Sequence, residues 1–370
     1  MSIAEFRRRL EHGEELRNLD CSGLREENAS WAGQMFDNVA LESAWLPGAN
    51  LADCVFINCQ LSHAELSGSD LSRAHFIECS LSAASLRRTR LDGTSFLNCN
   101  LSECRFDATH TTESRFVGGT LEKASFVAAQ IEQTLFDAPL AQADFSATQM
   151  QSTVFHELDL KQFRLAGARL HKAVFLACDL QGQVLRNLDI EGCQFVDCQM
   201  QNIDLQNAQL RQCNFSNATL QGARLDSVQA PLAIFLRADL SGASCTQAEL
   251  SSSLWVEAQL TQVNFEDSKL NQAIFQRARI HSSSFRRCQL HYADFTYANL
   301  QSTDFRDAHF QHSQFHAAQL EDVHWGNQAG VLFEDPELTA AERWSAESKQ
   351  QSRAFRQALQ QVLPEQGDTP

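Results

Sequence analysis

The sequence predicts an all-β solenoid, a rod of about 15 stacked coils with a short helix at each end. Three regularities predict it: an apolar residue at every fifth position, a small residue two places before it, and an aromatic residue at every twentieth. The five-residue series runs Trp31, Phe36, Leu41, Leu46 and onward to Phe136, then resumes one residue early as Leu140, Phe145 and Met150 and continues to Trp325. That makes 22 plus 38, or 60 units. A period of five matches neither the 3.6 of a helix nor the 2 of a flat strand, so the chain must turn inward once per unit. The small partner is seen at Ala44, Ala49, Cys54, Cys59, Ala64, Ser69, Ala74 and Cys79, and again at Ala273, Ala278, Ser283, Cys288, Ala293 and Ala298.

The twenty-residue series gives the number of units per coil. It comprises Phe36, Phe56, Phe76, Phe96, Phe116, Phe136, Phe155, Phe175, Phe195, Phe215, Phe235, Trp255, Phe275, Phe295 and Phe315, with one step of nineteen between Phe136 and Phe155. Four units per coil keep all of these on one face, whereas three or five would scatter them. At the spacing of neighbouring strands, ~4.8 Å, fifteen coils make a rod roughly 72 Å long. Stability is then nearest-neighbour along the axis.

Composition agrees with a dry core. The chain has 25 Phe against 2 Tyr and 5 Trp, and 21 of the Phe are unit centres, where a hydroxyl would find no free partner. Ten of the 12 Cys occupy the small inward position and Cys245 is a centre, so they read as small hydrophobes. With no CxxC pair and no secretory h-region in the opening residues, reduced thiols and a cytoplasmic location are expected. No apolar run approaches the length of a spanning helix, and a net charge of −16 is not that of a nucleic-acid binder.

In chain order, residues 1–30 read as a helix and first-coil cap. Ser2 and Glu5 form a capping-box pattern, Ile3, Phe6 and Leu10 share a helical face, and Gly13 is a stop. Residues 31–325 are the repeats. Their phase slips at 137–140, around Pro139. Beyond the slip the larger Leu158, Phe163, Gln183, Leu188 and Ile203 replace small inward residues, opposite centres Leu165, Leu185, Ile190 and Leu205 that are not aromatic. An altered cross-section or bend is expected between 137 and 205, either a tolerated deletion or a joint for docking. In the last segment, 326–370, Asp335-Pro336-Glu337 opens a helix over about 336–362. Leu338, Trp344, Phe355 and Leu359 supply its apolar surface, which either covers the last coil or serves dimerisation or docking.

Gly48-Ala49-Asn50-Leu51-Ala52, Ala293-Asp294-Phe295-Thr296 and Ala298-Asn299-Leu300-Gln301 resemble the A(D/N)LXX unit of the pentapeptide-repeat family. That resemblance, over 31–325, implies a right-handed quadrilateral β-helix. It also raises a known possibility of the family, mimicry of B-form DNA to bind DNA gyrase. Duplex DNA shows about one charge per 1.7 Å, roughly 42 over the length of this rod. Residues 31–325 carry 32 acids and 21 bases, a net of −11, which argues against it. The opening Glu5-Phe6-Arg7-Arg8-Arg9-Leu10-Glu11, through Leu19-Asp20-Cys21 to Leu24, resembles pentapeptide proteins associated with bacterial type VI secretion. This implies a scaffold or adaptor whose partners are a secretion effector, adaptor or spike.

Catalytic signatures are missing from the sequence: it has no P-loop, GxGxxG, HExxH or GxSxG. No enzyme activity, cofactor, catalytic residue or metal site is expected. His309, His312, His316 and His324 cluster only in sequence, and the runs Arg87, Arg88, Arg90 and Arg277, Arg279, Arg286, Arg287 read as solvated faces. Gln181, Gln201 and Gln221 are expected to stack as an amide ladder. The candidate docking residues are Pro139, Trp344, Phe355 and Leu359, with a homodimer through a terminal helix as a further expectation.

Overall fold

A computed structural model describes the backbone of residues 1–362 and the side chains of residues 1–354. The chain winds into a β-solenoid of about 16 turns. Every bridge between coils is parallel, with registers such as Phe36↔Phe56 and Phe56↔Phe76 that advance by twenty residues. Pairing begins at Leu16↔Phe36 and ends at Gln314↔Leu332.

One unit shows why five residues close a side. In the unit Ala40–Ala44, the Ala40 N–H bonds the coil below at Leu19, and the Leu41 and Ser43 N–H groups bond the coil above at Gln60 and Ser62. The Ala44 N–H closes the turn onto the Leu41 carbonyl. The remaining N–H, one residue after the centre, is often taken by the Asp or Asn just before the centre: Asp20 accepts from Ser22, Asn50 from Ala52 and Asp70 from Ser72, at 2.9–3.2 Å. That Asx bond satisfies the last backbone donor of the unit, which is the physical reason for Asp or Asn at that place. The corner residue two places after the centre is left-handed in nearly every unit, with φ between +48° and +62° at its non-glycine occupants there, Asn18, Asn58 and Gln133 among them; Gln162 is an exception. Asn tolerates this region best among residues with a Cβ.

Inside, the aromatic series forms a continuous stack from Phe36 to Phe315. Ring centroids from Phe36 to Phe235 are 4.6–5.2 Å apart with planes within 11°. A second stack, Phe106–Phe126–Phe145 and later Phe265–Phe285–Phe305–Trp325, lines the opposite wall. Where both stacks are present they meet edge to face, as at Phe116–Phe126 (5.7 Å, 86°), so rings there use both favourable aromatic geometries. Trp255 is the exception that fits: its Nε1–H donates to Ser253 Oγ at 2.6 Å.

The small inward position has a second requirement that the sequence did not reveal. All ten cysteines there donate S–H to the carbonyl 23 residues earlier, as in Cys54 to Trp31 (3.0 Å), Cys213 to Ile190 (2.7 Å) and Cys288 to Phe265 (2.8 Å). Ser69, Thr94, Ser268 and Thr303 donate to the equivalent carbonyl. Ala, Cys, Ser and Thr are therefore exchangeable by size, and three of them add a hydrogen bond. All twelve thiols are free and buried, and burial pushes Cys54 up to about 11 and Cys213 and Cys288 up to about 12. Native protein should accordingly show no fast reaction with a thiol reagent at pH 8, and all twelve thiols should react in guanidinium. Rapid native labelling would place cysteines outside the core.

At the slip, the residue omitted is the left-handed corner. Ala138, buried, follows Asp137 directly, without the positive-φ residue found in nearly every other unit. The coil below compensates at Gly119, whose φ is +70° and whose position would put a Cβ 2.0 Å from the Cys99 carbonyl oxygen. Pro139 lacks the N–H that would continue the ladder, and no bridge joins it to the coil on either side.

Strand content changes along the rod, and the change starts earlier than 137. From His110 to Glu191 a second face carries three-residue strands, His110–Thr112, Gln130–Glu132, Gln149–Gln151, Arg169–His171 and Asp189–Glu191, which form a five-stranded sheet. The larger inward residues also find places. Phe163 stands in for the missing aromatic centre at Leu165 and packs on Phe145 at 4.7 Å, while Gln183 donates to the carbonyls of Leu160 and Phe163 at 2.5 and 2.8 Å. Leu160 is again the carbonyl 23 residues back, reached here by a longer donor.

The ends are closed differently. Helix α1 (Ile3–Glu11) is N-capped by Ser2, which accepts from the Glu5 N–H, and it drives Phe6 onto Trp31 at 4.7 Å. At the other end, the strand Val331–Leu332 pairs with Ser313–Gln314, and Phe333 packs on Phe315 and Trp325. Helix α2 (Pro336–Val362) has the bounds expected but does not lie over the last coil as a lid. It has 27 residues, and its described side chains are almost all exposed. The segment 326–335 closes the last coil in its place, because that segment carries the ring and the pairing strand.

Candidate interaction surfaces

Pro139 sits where the hydrogen-bond ladder of one face is interrupted. Leu140, Leu158, Asp159 and Lys161 surround it, and the missing corner residue leaves a notch of about 260 Å³. Lys161 bridges Asp159 and Asp179 at 3.0 and 2.6 Å, so one rim of the notch is fixed. The notch is an interruption in an otherwise regular wall.

The five-stranded sheet creates a second feature that the sequence reading missed. In a three-residue strand the residues on both sides of the buried centre face outward, so the coils raise two parallel walls. One wall includes Gln130, Gln149 and Arg169, the other Glu132, Gln151 and His171, over a floor of Ile131, Met150 and Leu170. The groove holds about 330 Å³. Its signal in the sequence is the run of polar residues flanking centres 131, 150, 170 and 190 on both sides.

Elsewhere many of the basic side chains are paired with acids of the rod itself. Arg17 pairs with Asp37 across one coil, Arg73 with Asp53, Arg237 with Glu257 and Lys269 with Glu249. Asp204 lies between Arg186 and Arg224, and Arg287 holds Asp267 at 2.7 Å and Glu266 at 3.0 Å. The Arg287 hydrogen bond keeps the Asp267 carboxyl below the usual carboxylate range. The arginine runs are thus partly spent on the rod itself: Arg87 faces Asp107, Arg90 faces Asp92 and Arg286 faces Asp307. Exposed pairs of this kind contribute little individually.

The expected amide ladder does not form. Gln181 donates to Gln199, Gln221 donates to Asp239, and Gln201 Oε1 is buried without a partner. The residue after a centre leans toward the residue before the next coil's centre, eighteen positions on, which breaks the twenty-residue alignment that stacking requires. The four C-terminal histidines also separate: His316 is buried, while His309, His312 and His324 are exposed. Among the described residues no three His, Cys, Asp or Glu side chains are grouped as a metal site, and no helix is long and apolar enough to cross a membrane.

At the C-terminal end Asp335 caps α2, accepting from the Glu337 and Leu338 N–H groups at 2.9 and 3.1 Å. Trp344 stands out on the helix with 72% of its surface exposed. The Phe355 and Leu359 side chains lie outside the described residues. Glu342 faces the rod, taking a hydrogen bond from the Tyr297 hydroxyl, and that bond together with His316 lowers its pKa.

Comparison with known proteins places these features in a family. The model of the pentapeptide repeat region matches residues 69–139 and 258–339, and that of pentapeptide repeats (8 copies) matches 36–73, 164–202 and 193–228. No curated protein sequence matches the chain. Among solved structures it is similar to HetL from the cyanobacterium Nostoc, a pentapeptide repeat protein involved in heterocyst differentiation regulation: 19% identity over 90% of this chain and 98% of that one, TM-score 0.26. QnrB1, a plasmid-mediated fluoroquinolone resistance protein, shows 16% identity over 60% of this chain and 99% of that one, TM-score 0.24. A pentapeptide repeat protein from the Arabidopsis thaliana thylakoid lumen shows 23% identity over 29% of this chain and 61% of that one, TM-score 0.12.

Proposed function

The chain belongs to the pentapeptide-repeat family, and from that premise we propose that it is a rigid, non-enzymatic scaffold that holds protein partners at fixed positions along a rod. One observation carries the reading: a hydrogen-bonded wall continuous over about 16 turns ends in a 27-residue helix that buries almost none of its described side chains and leaves Trp344 72% exposed. A stiff body with an exposed aromatic on a projecting helix has the form of a docking arm, because large aromatics dominate the energy of protein interfaces. The notch at Pro139 and the groove on another face give further places of contact midway along the rod.

The likeness of residues 5–24 to proteins of type VI secretion supports a finer proposal, that the partners are an effector and a spike or adaptor component. Mimicry of DNA toward gyrase is less well supported, since the acidic side chains Asp37, Asp53, Asp179, Asp204 and Asp267 are each neutralised by a base one coil away or closer. Affinity capture from the native host tests the proposal. The intact chain should retain a secretion component, and Trp344→Ala should lose at least one partner while its melting temperature is unchanged. Recovery of gyrase in place of any secretion component would overturn it.

A further inference from the structure

Beyond its N-cap, α2 has one polar contact with the rod among the described residues, and that contact is Glu342. Its Oε1 accepts from the Tyr297 hydroxyl and lies 3.4 Å from His316 Nε2. The same histidine ring, buried, accepts the Asp335 backbone N–H on Nδ1 at 3.2 Å. Asp335 is the residue that caps the helix, so one ring meets both the start of α2 and a carboxylate two turns in. Because Nδ1 accepts, the ring proton sits on Nε2, facing Glu342. That nitrogen has no hydrogen-bond partner at its present distance, although buried donors normally find one. Behind the hydroxyl, Tyr297 packs edge-on against His316 at 5.9 Å and lies under the Arg277 guanidinium at 5.0 Å, which fixes the phenol in place. The charged groups near this cluster are Arg277 on the rod, Glu334 and the capping Asp335 before the helix, and Glu337 and Glu342 on it.

Apolar burial does little to hold α2. From Ala340 to Ala354 its described side chains are exposed apart from Ser345, so the direction of the helix rests on this cluster and on the cap. A surface helix without a buried stripe gains little orientation from packing. We propose that Tyr297 and His316 form a releasable latch on Glu342 that sets the direction of the C-terminal arm, and that opening it lets the arm swing about Glu334 and Asp335, just past the paired strand, while the rod remains folded. The latch stands whether or not the arm binds a secretion component.

The test uses the full chain with paramagnetic labels on Gln319→Cys in the rod and Lys349→Cys in the arm, the native thiols being buried. The parent should give one narrow distance, and Glu342→Ala should replace it with a broad spread at an unchanged rod melting temperature. Tyr297→Phe removes a single oxygen and leaves the ring over Arg277, so it reads the same loss if Glu342→Ala disturbs the fold. A broad distribution in the parent, or a narrow one retained in both variants, would overturn the latch.

Discussion

Phe215→Asp should unfold the middle of the rod. Phe215 is fully buried between Phe195 and Phe235, with ring centroids 5.2 and 5.0 Å away. Deleting a core Phe costs ~3–5 kcal/mol, and a carboxylate left there without a partner adds several more before it takes up a proton. The total rivals the ~5–15 kcal/mol that hold a whole domain together. Since each coil is supported only by its neighbours, the damage should centre on residues 195–235 rather than spread evenly. Circular dichroism should lose much of its β-signal, and limited proteolysis should cut within that window. Phe215→Leu, which keeps the site apolar and leaves a much smaller void, should cost far less. Full retention of β-signal and melting temperature by Phe215→Asp would mean that the ring stack is not inside.

Gly119→Ala should be the most damaging glycine-to-alanine change among the described residues. The new Cβ would lie 2.0 Å from the Cys99 carbonyl oxygen and 2.6 Å from the Cys99 nitrogen, both backbone atoms that cannot step aside. A positive φ adds its own penalty for a residue with a Cβ. We expect a loss of about 3 kcal/mol or more in denaturant melts, at the upper end for overpacking. Gly68→Ala is the control: φ is +71° there, but nothing lies within 4 Å, so only the backbone penalty of ~1–2 kcal/mol remains. Gly119 lies directly below the shortened unit, with the Gly118 N–H bonded to Asp137 and the Leu121 N–H to Pro139. Inserting one Asn between Asp137 and Ala138 restores the missing corner and should recover much of the stability lost by Gly119→Ala. Equal losses in the two glycine variants would detach Gly119 from the slip.

Much of the fold was legible because a solenoid repeats one decision many times. A period of five and an aromatic every twenty leave few ways to wind the chain, and the registers Phe36↔Phe56 and Phe155↔Phe175 follow directly. Other features were hidden because they depend on where side chains lean between coils. The amide ladder failed on that point, with Gln181 reaching Gln199 rather than Gln201. The thiols were legible as small residues, but their shared bond to the carbonyl 23 residues back is a property of the coil, not of the unit. The groove over Gln149 and Arg169 needed knowledge that one face opens into three-residue strands. At the C-terminal end the start of α2 was readable from Asp335 and Pro336. Its direction was not, since Tyr297 and Glu342 are 45 residues apart and meet only once the last coils are in place.

A stiff rod with four units per coil fixes the distance between its ends, and that distance is the most direct measurement of the fold. Ser22 and Glu321 are exposed and occupy the same column fifteen coils apart, so labels on Ser22→Cys and Glu321→Cys should give one narrow distance of roughly 72 Å at ~4.8 Å per coil. A broad distribution, or a distance near the ~96 Å that three units per coil would require, would contradict it.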